Sequence, residues 1–240
     1  MEAPVARTVN VAVHAARRDE ILDAAQRLIL LNGYERLTVQ DILDNLQMSK
    51  GAFYHYFDSK PTVIEALTTR LVGDSERALA PIVENPQMGA VKKLQAFFGE
   101  IVRWKSQRQN LFVAMLPVWY APDNLAFRLL VDRESVKRLA PLLSAIIRQG
   151  VDEGQFATAH PDQAGTIIFA IVQALQDAMA ERLLGNQSPS VKEMVNTHGA
   201  HMEAIERYLG VPVGTLNRVD AQTVKSWIAA LSDSNAAAGR

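Results

Sequence analysis

Residues 47–60, QMSKGAFYHYFDSK, hold the side chains whose types and spacing best suit a chemical task. Phe53 and Phe57, four apart, share one helix edge with Met48, which leaves Lys50, Gly51, Ala52, Tyr54, His55 and Tyr56 facing the other way. That outward set has the makings of a surface for a polyanion. Lys50 reaches a guanine edge or a phosphate, while Gly51 and Ala52 lack bulk and let the start of the helix come close to base edges. Tyr54, His55 and Tyr56 offer donors at the distance of a sugar-phosphate wall, and Thr38 and Lys60, each near a helix start, add two further phosphate contacts. Glycine costs a helix about 1 kcal/mol relative to alanine, so Gly51 fits best where another molecule must approach closely.

Positioning that face needs short, sharply capped helices. From Arg17 to Asn32 the apolar residues Ile21, Leu22, Ala25, Leu28 and Ile29 keep three-four spacing, and Gly33 supplies a left-handed stop. Thr38 is the expected N-cap of a second helix, answered by Asp41, with Leu37 and Ile42 as a hydrophobic staple. Ser49 then caps a third helix, running to Tyr56, with Met48 against Phe53. A fourth helix opens at Asp58 or Ser59, tolerates Pro61 in its first turn, and lines up Val63, Ile64, Leu67 and Leu71. A short helix, a tight turn and a second short helix packed on a longer one is the arrangement that presents a helix to the DNA major groove. The alternative is an ordinary helical hairpin in which FYHYF is aromatic core.

The pattern Arg18-x-x-Ile21, Ala24-Ala25-x-x-Leu28, Gly33-Tyr34, Leu37-Thr38, Asp41-Ile42 and Ser49-Lys50-Gly51-x-Phe53-Tyr54-x-Tyr56-Phe57-x-Ser59-Lys60 resembles the TetR family of transcriptional regulators over about residues 17–70. The resemblance implies an all-α chain. A three-helix helix-turn-helix domain would lead through a connecting fourth helix to a C-terminal helical bundle that binds a small ligand and forms a homodimer. It makes Ser49–Tyr56 the recognition helix and places Thr38, Tyr54, His55, Tyr56 and Lys60 where the family touches phosphate. One departure stands out: Leu46-Gln47-Met48 replaces the usual Ala-Gly-Val before the recognition serine. The turn then requires Gln47 to take a left-handed conformation, at a cost of about 1 kcal/mol.

Composition narrows the alternatives. The 240 residues, 48% hydrophobic and 21% charged, suit a folded chain with a sizeable core. The absence of cysteine removes disulfides, thiolate zinc sites, iron-sulfur clusters and cysteine nucleophiles. The apolar runs fall short of the roughly 20 residues that span a bilayer, and residues 1–16 lack a secretion-signal core, so the expectation is a mobile leader on a cytoplasmic protein with no membrane partner. Net charge is -1 overall, and residues 1–60 hold seven basic and eight acidic side chains. Contact with DNA therefore rests on local placement of charge and on a dimeric site.

The expected divisions are the leader over 1–16, the helix-turn-helix domain over 17–62, a ligand-binding and dimerisation domain over 63–210 and a tail over 211–240 with a short helix at 221–231. Long helical segments are expected at about 88–108, 110–119, 123–153, 161–185 and 189–209, punctuated by proline and glycine. Between residues 97 and 127 large side chains cluster, and Phe97, Ile101, Trp104, Phe112, Met115, Trp119, Phe127, Phe169 and Gln173 are the candidate lining of a mostly apolar effector pocket. Arg103, Gln176 and Asp177 are further polar anchors. Ile168, Ile171, Val172, Leu175 and Met179, with Met194, Met202 and Ile205, are the candidate seam of a homodimer. His198 and His201 sit three apart on a helix without a visible third ligand, and neither a metal nor a cofactor is assigned. An all-helical enzyme is one competing reading, but no HExxH, GxSxG or glycine-rich phosphate loop appears. The other is a partner-binding dimer that has lost its double-stranded DNA operator.

Overall fold

The computed structural model describes residues 5–107, 109–185 and 189–238. Every regular element among them is helical: α1 (Val5–Asn32), α2 (Val39–Leu46), α3 (Lys50–Tyr54), α4 (Lys60–Glu84), α5 (Ala90–Ser106), α6 (Gln109–Trp119), a 3-10 turn (Pro122–Asn124), α7 (Leu125–Asp152), α8 (Pro161–Leu184), α9 (Val191–Leu209) and α10 (Ala221–Ala238). None is long and apolar enough to cross a membrane among the described residues. The chain forms two compact units, one of Met1–Leu71 with Val118–Val131, the other of Val72–Pro117 with Asp132–Arg240. The break thus falls nine residues beyond the expected position 62, and a distant stretch joins the first unit.

In unit 1, α1 begins well before Arg17, because no proline or glycine interrupts the chain between Pro4 and Gly33. The expected leader is helical from Val5 onward. Its inward stripe, Ile21, Leu22, Ala25 and Ile29, meets Leu37, Ile42, Phe53, Phe57, Val63, Ile64 and Leu67 in one core. Each such side chain contributes about 1.5–3 kcal/mol by leaving water. Gly33 ends α1 at φ +88, and a Cβ there would lie 2.8 Å from the Asp123 Cβ, so only glycine serves both the backbone and the close approach. The neighbouring Tyr34 N–H donates to Asn124 Oδ1 at 2.7 Å, and the Tyr34 ring stacks on Phe127 at 6.1 Å. Phe127, 3% exposed, also meets Trp119 at 5.8 Å. Trp119 and Phe127, expected in an effector pocket, are instead core of unit 1, because residues 118–131 return to cover the end of α1.

Unit 2 holds the end of α4, most of α7 and helices α5, α6, α8, α9 and α10, with α8 packed on α9 and α9 on α10. Gly89 offers α5 no side-chain cap, and Glu153 at the end of α7 supplies one, accepting from the Ala90 N–H at 3.0 Å. That bond is the main cause holding the Glu153 carboxyl below its ordinary pKa. At the crossing of α7 and α8, Ser144 Oγ accepts from the Gly165 N–H and donates to the Asp162 carbonyl, both at 3.1 Å. Glu206 is wholly buried and accepts from the N–H groups of Gly214 and Leu216 while pairing with Arg218 at 2.5 Å. One carboxylate thereby fastens the segment between α9 and α10. Asp220 then caps α10, accepting from the Thr223 N–H at 2.7 Å; α10 runs to Ala238, beyond the expected 231. His198 and His201 turn to the backbone: His198 Nδ1 accepts from the Val219 N–H at 3.4 Å, and His201 Nδ1 lies 2.8 Å from the Thr197 carbonyl.

Candidate nucleic-acid interface

Local chemistry fixes the two short helices. The Thr38 hydroxyl accepts from the Asp41 N–H at 3.1 Å, and Asp41 Oδ2 accepts from the Thr38 N–H at 2.8 Å, completing a reciprocal cap. At the other end of α2, Gln47 stands at φ 48 and ψ 43, the only left-handed residue other than glycine among the described residues. Its N–H donates to the Asp44 carbonyl at 3.3 Å, and the Met48 N–H reaches the Leu43 carbonyl at 2.9 Å. This is the paired bonding of a Schellman stop, with Leu43 and Met48 buried across it. Ser49 Oγ then accepts from the Ala52 N–H at 3.2 Å and starts α3.

The resulting helix has two distinct sides. Phe53 is 0% and Phe57 4% exposed, which anchors α3 in the core. Ser49, Lys50, Gly51, Ala52, Tyr54 and His55 are all exposed, and a Cβ at Gly51 would meet nothing within 4 Å. No packing inside this chain explains a glycine there. The Tyr54 ring leans on Phe53 at 5.5 Å and keeps its hydroxyl end outward, with Lys50 Nζ 6.0 Å from the ring centre. The α-helix proper closes at Tyr54, with His55 as its C-cap, so Tyr56 lies just past the end expected for it.

Three expected contacts carry a second duty. The exposed Thr38 uses its hydroxyl in the α2 cap. Lys60 Nζ donates to the Tyr34 carbonyl at 2.9 Å and sits 4.4 Å from the Tyr34 ring centre, tying α4 to the end of α1; an ammonium retains further donors. Tyr56 is half-buried because His14 packs on its ring at 4.6 Å, with His55 at 5.5 Å from His14. His14 escaped sequence reasoning, which placed it in a leader; the signal for it was the unbroken run of helix-compatible residues from Val5.

The model of the family described as "Bacterial regulatory proteins, tetR family" matches residues 21–67, the stretch that carries this surface. The chain belongs to the TetR family. Among curated TetR-type relatives, the transcriptional repressor AcnR of Corynebacterium glutamicum is 25% identical over 207 residues, 85% of this chain and 94% of that one. The repressor DhaR of a Mycobacterium species is 27% identical over 85 residues, 35% of this chain, and that match spans only 43% of DhaR. Among solved structures, a tetR-family regulatory protein from Rhodococcus RHA1 superposes with a TM-score of 0.51 at 19% identity, over 81% of this chain and 97% of that one, a likeness of fold. These TetR relatives are regulators, and the chain is not an enzyme.

Outside unit 1 the expected site residues separate. Phe97 is fully buried against Phe98, Trp104 is 40% exposed, and Ile101, Phe112, Met115, Phe169 and Gln173 are half-buried. Of the candidate dimer seam, Ile168, Leu175, Met194, Met202 and Ile205 are already buried within the single chain. Those five therefore serve the intrachain core, which leaves Ile171, Val172 and Met179 half-buried; Ile167, missed in the sequence, is 38% exposed beside them.

Proposed function

We propose that the chain is a ligand-responsive transcriptional repressor which, as a homodimer, holds a palindromic operator through α3 and releases it when a small, mostly hydrophobic effector enters unit 2. The observation that carries this reading is the outward side of α3: a slim, capped start at Ser49, Gly51 and Ala52, flanked by Lys50, Tyr54 and His55, over two buried phenylalanines. The glycine has open space above it and no internal reason to be there. Thr38, Tyr56 and Lys60 extend the same surface toward phosphates on either side.

A two-fold dimer suits this head, because successive faces of the major groove repeat at about 34 Å and one short helix reads only a half-site. The apolar strip of α8 around Ile167, Ile171 and Val172 is the proposed seam. Helix α4 is the proposed lever. Within unit 1 its Arg70 pairs with Asp23 of α1 at 2.9 Å, and within unit 2 its Glu76 pairs with Arg138 of α7 at 2.5 Å, so both ends of one continuous helix are fastened. Effector binding that favours one setting of α4 shifts the population that fits the operator.

Selection of random duplexes on the purified protein, followed by titration at two salt concentrations, tests the reading. A palindrome should emerge. Lys50→Ala and Tyr54→Ala should each weaken it by about 10-fold or more, corresponding to about 1–3 kcal/mol per lost contact. Full affinity in both variants, or no enriched palindrome, would refute the assignment of α3.

A further inference from the structure

Helix α5 carries two lysines on its inward side, and the fold treats them differently. Lys93, 5% exposed, donates its ammonium to the Val83 carbonyl at 2.5 Å, the ordinary settlement for a buried lysine. Lys105 lies on the same side near the helix end, following Leu94, Phe97 and Ile101 at helical spacing. It is half-buried, and among the described residues it has no hydrogen-bond acceptor or ion-pair partner. The adjacent Arg103 points outward and pairs with Glu100. Lys105 therefore keeps some open surface while protein strips water from its ammonium and lowers its proton affinity from the usual lysine value. Surface that remains on a desolvated group belongs to the wall of an enclosed space. Beside it, Trp104 and Phe112 meet edge to face at 5.1 Å, joining α5 to α6.

We propose that Lys105 is the counter-ion of the effector, and that unit 2 takes an organic anion with a carboxylate on an apolar body. This rests on the reading of unit 2 as an effector domain and gives the effector a chemical class. The carboxylate meets the Lys105 ammonium, and the apolar body lies along Ile101, Trp104 and Phe112. A single ammonium with no arginine fork beside it suits a monoanion better than a phosphate, which draws several donors. An unpaired cation is poor structural material, so its place in the inward stripe makes sense as a ligand contact rather than as packing.

The test uses the full chain without DNA. Melting is followed with octanoate, dodecanoate and 1-naphthoate, each against its primary amide, for wild type, Lys105→Met and Lys105→Arg. At least one carboxylate should stabilise wild type with an affinity about 10- to 100-fold above that of its amide, the range for losing a hydrogen bond to a charged group. Lys105→Met should abolish that preference and Lys105→Arg should keep it. Without ligand, Lys105→Met should melt at or above wild type, since it removes an unpaired charge. Equal binding of acid and amide, no binding by any of the three acids, or a lower melting point for unliganded Lys105→Met would overturn the proposal. Carboxylate binding through Lys105 with no effect on duplex affinity would leave the proposal standing and refute the regulatory reading. Release of a duplex by a neutral compound, unchanged in Lys105→Met, would do the reverse.

Discussion

Replacing Gln47 by glycine should stabilise the protein. Gln47 holds φ 48 and ψ 43, where a side chain crowds the following carbonyl and costs roughly 1–2 kcal/mol. Its side chain is exposed, so truncation removes no packing, and both bonds of the stop come from backbone N–H groups that glycine keeps. Against the relief stands the greater freedom of glycine in the unfolded chain, about 0.4–1 kcal/mol. The net gain is about 0.5–1 kcal/mol, which for a chain of this length corresponds to a rise in melting temperature of roughly 1–4 °C. Urea denaturation followed by circular dichroism reads it as a higher midpoint at unchanged slope. Gln47→Val should move the midpoint the other way, since a β-branched side chain tolerates this conformation worst. An unchanged or lower midpoint for Gln47→Gly would show that the turn is not strained.

Gly165→Ala should destabilise by about 1–3 kcal/mol or more, because the new Cβ would fall 2.0 Å from the Ala140 carbonyl oxygen and 2.7 Å from Ser144 Oγ; a chemical melt checks it. Phe127→Ala should cost about 3–5 kcal/mol and be felt in unit 1, with loss of protection at the amides of Gly33 and Tyr34 in hydrogen exchange. His198 has its pKa lowered, first by burial, then by Arg218 and His201. The unfolded chain therefore takes up a proton that the folded chain resists. This part of the stability is complete above the ordinary histidine range near pH 6.5 and is lost as pH falls through it. His198→Gln should flatten the fall in melting temperature between pH 7.5 and 5.5, and an identical slope in the variant would exclude that role.

What the sequence declared plainly was local. Thr38, Asp41 and Ser49 cap the helices they precede because capping depends on residues three apart, and the left-handed Gln47 follows from the two stops on either side of it. The inward turn of Phe53 and Phe57 is likewise a matter of spacing. Contacts between distant positions were hidden: nothing near Tyr34 announces that its N–H will meet Asn124, ninety residues on. That one pairing moved Trp119 and Phe127 from an expected pocket to the core of another unit. Periodicity also fails to say which apolar face meets its own chain and which a second copy, hence the burial of Ile168, Met202 and Ile205. Lys105 looked like any helical lysine until its surroundings were known.

The return of residues 118–131 to Gly33 and Tyr34 bears on how such molecules are recombined. A reading head cut cleanly at residue 71 would leave behind the phenylalanine that seals it, with an apolar gap facing water where Phe127 belongs. Grafting this head onto a foreign sensor thus requires two exchanged stretches, and a chimaera with a single junction inherits an unfinished globule.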